Sequence, residues 1–173
     1  MSAGYLDVSV QETDSAQGHR ECANAINYLL GRQPTVAMNY GLAVPAFAIS
    51  NASPGTIVAP WAGTLGSAYA EADQTTGIVT VKETGLYSIQ ATVVFQNGTL
   101  NESYVLELIH TVLGVPGYTP MATAEWTNKT TAASLSGSLT VAMGVDDQVA
   151  IAIYGSVVDT LNLISGQLLV QQL

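Results

Sequence analysis

The chain has 173 residues, enough for one domain with an appendage. Its formal charge is −9 with only four Lys and Arg residues, so no basic patch can form and direct nucleic-acid binding is not expected. A single cysteine, Cys22, excludes an internal disulfide and therefore a disulfide-stapled module.

Charged residues make up 10% of the chain, against roughly 25% in ordinary globular proteins. A protein of this size normally covers itself with Lys and Glu. The shortage implies that much of the surface is hidden in contacts. Mean hydropathy is positive, yet no run of 18 apolar residues exists. Dispersed β structure explains this better than a membrane helix. Residues 1–8 lack a charged stretch followed by an apolar one, so no signal peptide is expected. Four Asn-x-Ser/Thr sequons, at Asn51, Asn97, Asn101 and Asn128, read as incidental in an Asn- and Thr-rich chain.

Residues 1–43 read as an N-terminal anchoring segment. Ser15 suits an N-cap, and Cys22, Ile26, Leu29 and Leu30 fall on one face of a helix over Ala16–Leu30. Gly31 and Pro34 end it. Such a helix needs a surface, either its own sandwich or a partner. The partner reading makes Ile26, Leu29 and Leu30 the contact.

Residues 44–173 read as β throughout, with eight to ten short strands punctuated by Gly and Pro. The clearest strand is 85–96. Tyr87, Ile89, Ala91, Val93 and Phe95 alternate with Ser88, Gln90 and Thr92. Asn97-Gly98 then turns the chain. Tyr104, Leu106, Leu108 and Val112 alternate next. Leu135, Leu139, Val141 and Met143 alternate against Ser134, Ser136, Ser138 and Thr140. Asp146-Asp147 turns into Val149, Ile151 and Ile153. Trp61, Tyr118 and Trp126 fall in Pro- and Gly-rich, loop-like stretches and read as caps on the ends of the sandwich, with Tyr118 and Trp126 in a ligand-contact loop as the alternative.

The last thirteen residues, Leu161–Leu173, are uncharged and apolar on both parities. Leu161, Leu163, Leu169 and Leu173 lie on one; Ile164, Leu168 and Val170 lie on the other. A half-buried strand is apolar on one face only. This strand therefore reads as a trimer interface made of Leu161, Leu163, Ile164, Leu168 and Val170.

Four motifs in order resemble the jelly roll shared by tumour necrosis factor and the globular heads of complement component 1. They are Pro45-Ala-Phe-Ala-Ile-Ser50, Thr84-Gly-Leu-Tyr-Ser-Ile89, Val145-Asp-Asp-Gln-Val-Ala-Ile151 and Leu163-Ile-Ser-Gly-Gln-Leu-Leu169. The match covers residues 44–173. Three positions depart from the pattern: Ile164 replaces an aromatic, Asp146 a glycine and Ile89 a phenylalanine. No receptor-binding residue of the cytokines carries over. The resemblance implies an all-β jelly-roll sandwich forming a homotrimer. With a short helix-bearing N-terminal segment and no collagen stalk, the arrangement is similar to trimeric jelly rolls of bacterial viruses that decorate capsids or tip fibres.

Candidate chemistry is sparse. His19 and Cys22 stand i, i+3 but lack the further ligands a zinc site needs. His110 shares the parity of Leu106 and Leu108 and reads as an interior histidine. Asp146, Asp147 and Asp159 could offer oxygens to calcium, although adjacent acids in a turn are usually turn chemistry. Glu71 and Asp73 read as solvated rather than as a catalytic pair. No phosphate loop, nucleophile elbow or zinc-protease signature occurs.

The expectation is therefore a non-enzymatic structural protein of a bacteriophage, without cofactor. It decorates the virion head, with the major capsid protein or another virion protein as partner, and contacts neither nucleic acid nor membrane. The alternatives are a receptor- or glycan-binding fibre tip, and a cellular complement-like or spore-surface ligand trimer.

Overall fold

The computed structural model describes residues 36–40, 44–61, 63–65, 69–127 and 131–173. The expected helix over 16–30, with Ile26, Leu29 and Leu30, lies outside them, as do His19 and Cys22.

The described chain forms two antiparallel sheets that face each other as a sandwich. One contains β1 (Val36–Tyr40), β2 (Val44–Ile49), β4 (Gly63–Leu65), β7 (Gly85–Gln96), β10 (Ala133–Met143) and β12 (Asp159–Gln172). Its order is β10-β7-β12-β1-β4, with β2 also pairing with β12. The other contains β3 (Thr56–Ile57), β5 (Ala70–Asp73), β6 (Ile78–Val81), β8 (Ser103–Val112), β9 (Val115–Glu125) and β11 (Gln148–Gly155). Its order is β5-β6-β11-β8-β9, with β3 also pairing with β11. They are called the β7 sheet and the β8 sheet below.

β1 corrects the expected boundary at residue 43/44. Val36 to Tyr40 pair with Val170 to Gly166, so the sandwich begins well before Val44. β3 and β4 are two and three residues long, too short to show as a periodic pattern.

The core is built from period-two strands. Tyr87, Ile89, Ala91, Val93 and Phe95 turn inward from β7; Tyr104, Leu106 and Leu108 meet them from β8. Val149, Ile151 and Ile153 of β11 and Leu135 and Met143 of β10 complete the layer. Phe95 packs against Tyr104 with ring centroids 5.0 Å apart and against Trp126 at 5.7 Å. A second, smaller cluster lies on the other face of the β8 sheet, where Ile57 and Ile78 cover Ile109, Ala150 and Ala152.

Two glycines are required by geometry. Leu113 and Gly114 have φ of 49° and 80° and join β8 to β9, with Val112 opposite Val115. Two successive left-handed residues make the tight hairpin turn that suits twisted strands. Gly137 lets the edges of the two sheets meet: a Cβ there would lie 2.7 Å from the Met121 Cβ and 2.8 Å from its carbonyl oxygen.

Candidate contact surfaces

The interface expected on β12 is not available in the form the alternation suggested. Leu161, Leu163, Leu168 and Val170 all turn into the protomer's own core and are at most 1% exposed. The register with β7 slips between Leu163 and Ser165, where Ile164 is the extra residue of a β-bulge. A bulge moves every later side chain to the other face. It thus brings Leu161 and Leu163 of one parity and Leu168 and Val170 of the other onto one inner face, and leaves Leu169 on the outer one. Ile164 is half-buried and is the only one of the five expected interface residues not consumed by the core.

What the β7 sheet does present outward is a neutral grid. Across β10, β7 and β12 the register aligns Ser134, Val94 and Ser165; Ser136, Thr92 and Gln167; Ser138, Gln90 and Leu169; Thr140, Ser88 and Gln171. Ala142 and Leu86 close it, and Leu173 donates its N–H to the Leu86 carbonyl. Thr92 and Ser136 share a hydroxyl hydrogen bond of 2.9 Å. No charged residue falls on this grid. Asp159, at the far end of β12, is the one charge in the strands of the β7 sheet.

Tyr118 and Trp126 are not brought together as a contact loop. Tyr118 lies inside β9, opposite Ile109, and is exposed. Trp126 lies eight residues further, about 25 Å away at strand rise. It is half-buried and caps the core against Phe95. Trp61 is buried in the core as well. β9 escaped the sequence reading because Pro116 and Pro120 argue against a strand. An edge strand tolerates both, since one row of its N–H groups has no ladder partner.

The acids are placed as follows. Asp147 is buried and accepts a 2.8 Å bond from the Gly144 N–H. His110 Nε2 lies 3.5 Å from the same Asp147 oxygen, without a formed hydrogen bond between them. Asp146 is exposed with φ of 66°, its N–H donating to the Val81 carbonyl. Among the described residues no group of three or more His, Cys, Asp or Glu gathers as a metal cage. Glu71 pairs with Lys82 at 3.1 Å. Asp73 instead caps its own turn, accepting from the Thr75 and Thr76 N–H groups. Bonds from the Thr76 side chain and the Thr75 backbone hold its carboxyl below the usual range.

Two acids, buried Glu107 and half-buried Asp159, hold loops. Glu107 is 1% exposed and accepts from Ser53 Oγ at 2.6 Å and the Gly55 N–H at 3.0 Å. Asp159 accepts from Tyr104 Oη at 2.5 Å and the Thr99 N–H at 2.9 Å. The Thr99 N–H also reaches Tyr104 Oη, at 2.6 Å. Neither acid was singled out as a loop anchor by its sequence context.

No protein-family model matches the sequence, and no curated protein is similar to it. Solved structures are similar in fold. The globular domain of zebrafish complement 1qA is 16% identical, with 78% of this chain covering 95% of that one at a TM-score of 0.57. Murine APRIL at pH 5.0 is 15% identical, with 79% covering 98% at a TM-score of 0.53. A TNF protein, Eiger, of S. frugiperda is 15% identical, with 82% covering 94% at a TM-score of 0.49. The two-sheet architecture is thus a jelly-roll fold shared with the zebrafish complement 1qA globular domain and murine APRIL.

Proposed function

We propose that this protein is a non-catalytic structural component that self-associates through the β7 sheet and acts by contact. The observation that carries this is the charge-free outer face of that sheet. The chain holds 13 acids, yet none lies among Ser134–Thr140, Ser88–Val94 and Ser165–Gln171. A β face left in water ordinarily carries Lys and Glu, which keep it soluble and unpaired. Depletion of charge is the mark of a surface covered by protein. The homotrimer implied by the sequence resemblance supplies the cover, because closed cyclic symmetry hides one such face on every copy.

In its finer form the body that carries the trimer is a phage head, reached through the residues before β1. The helical spacing of Ile26, Leu29 and Leu30 in the sequence supports this reading. A complement-like ligand trimer is the second reading, favoured by the fold shared with the zebrafish domain. Two measurements separate them. Light scattering of the purified protein is expected to give three times the protomer mass. Immunogold labelling of purified phage is expected to place it on the head. A monomer at micromolar concentration would overturn self-association. A trimer absent from the particles would leave the ligand reading.

A further inference from the structure

The register fixes which residues share an end of the sandwich. Gly85 pairs with Met143, Tyr87 with Gln172, Gln148 with Thr111 and Val112 with Val115. The Val81 carbonyl receives the Asp146 N–H at the same end. β1 also starts here, because Val36 pairs with Val170. The chain therefore passes into the sandwich at this end.

This end is apolar. Of the nine large hydrophobic side chains exposed among the described residues, six lie here: Leu86, Val112, Leu113, Val115, Val145 and Leu173. Leu113 is 95% exposed at the hairpin tip. A cleft of 290 Å³ opens between that tip and the turn at 144–147, with Leu113, Val145 and Asp146 on its walls. The opposite end exposes only Leu100 and Val158, beside Glu102 and Asp159. Charge around the apolar end is acidic. Asp146 and Glu83 are exposed, and Lys82 is engaged by Glu71.

We propose that this end is a docking surface that seats on the body carrying the protein. Its partner is a protein surface with an aliphatic patch flanked by Lys or Arg. The proposal rests on the reading that the chain before Val36 leads to that body. A tethered domain meets its support at high effective concentration, so a modest apolar seat suffices to fix its orientation. The other occupants fit less well. Two copies meeting end to end would set Asp146 and Glu83 against their own kind across the symmetry axis. An anionic lipid surface would repel the same acids.

The test uses the full chain with Leu113→Cys, and with Leu100→Cys at the opposite end as control. Maleimide labelling at each position is followed by peptide mass spectrometry in the free protein and in virions. We expect labelling at position 113 to slow at least tenfold in virions, with position 100 unchanged. Leu113→Asp should lower virion occupancy at least tenfold without altering the mass of the free oligomer. Equal labelling at position 113 in both states would overturn the proposal. So would protection already present in the isolated oligomer, which assigns the end to another copy, or protection by phosphatidylcholine vesicles alone, which assigns it to lipid. Absence of the protein from virions removes the proposed carrier and the proposal with it, and is seen separately as lack of any signal in the particles.

Discussion

Tyr104, at the start of β8, donates its hydroxyl hydrogen to the Asp159 carboxylate, at the start of β12, over an oxygen–oxygen distance of 2.5 Å. The bond ties together the 97–102 loop and the β11–β12 connection, because the Thr99 N–H reaches both partners. Burial opposes ionisation of Asp159, but donors from Tyr104, Thr160 and Thr99 outweigh it and hold the carboxyl below its ordinary value. Burial, helped by the bond to Asp159, pushes the Tyr104 phenol up to about 12.

The signs give a two-sided pH dependence. The Asp159 contribution is complete above an unfolded carboxylate value of about 3.9 and is lost as pH falls through the lower folded value. The Tyr104 contribution is complete below about pH 10 and is lost as pH rises toward 12. Thermal melts of the wild type are expected to weaken on both limbs. Asp159→Asn should lower stability at pH 7 by about 1–3 kcal/mol and flatten the acid limb. An acid limb as steep in Asp159→Asn as in the wild type would sink this account.

The corrected role of Leu168 reverses what its substitution should do. On the alternation alone, Leu168→Asp would place an unpaired charge in the subunit interface and prevent soluble trimer formation. With Leu168 fully buried in the protomer core, the variant should fail to fold at all. The milder Leu168→Ala is expected to remain folded and to lose about 2–5 kcal/mol in denaturant titration. A folded, monomeric Leu168→Asp by circular dichroism and light scattering would restore the interface role.

The strands most legible in sequence are those with uninterrupted alternation. β7 shows both its faces in the order Tyr87 to Phe95, and β10 does the same, so their inward sets were readable residue by residue, whereas β11 is buried on both faces, with Ala150 and Ala152 in the smaller cluster. β12 was not, because a bulge leaves no mark in hydrophobic periodicity. Two apolar parities joined at Ile164 look the same as one strand buried on both faces. β9 was hidden by its prolines, and β1 by a length of five residues. The neutral grid was present in the sequence as Ser134, Ser136, Ser138 and Thr140, but only the register aligns it with Gln90, Thr92 and Gln167.

A charge placed on that grid should separate assembly from folding. Ser136 is exposed at the centre of the face, opposite Thr92. Ser136→Glu can keep its strand and its solvent contact in an isolated protomer, but in an assembly it would bury an unpaired carboxylate. Light scattering is expected to show dissociation with unchanged circular dichroism. Thr123→Glu on β9 serves as the control for added charge alone. Retention of the wild-type mass by Ser136→Glu would remove the grid from the interface.

Gly137 offers a test of how the two sheets close. Its missing side chain lets β10 approach the Met121 backbone of β9. Gly137→Ala would add a Cβ at 2.7 Å from the Met121 Cβ, so one of the two edges must move. Overpacking of this kind usually costs about 1–3 kcal/mol, while the better strand propensity of Ala returns only a fraction of it. Denaturant titration of Gly137→Ala should therefore show a net loss, which trimming the Met121 side chain cannot relieve because the Met121 carbonyl oxygen would still lie 2.8 Å from the new Cβ. A Gly137→Ala variant as stable as the wild type would mean that the edges part freely, and that the sandwich is closed by its core alone.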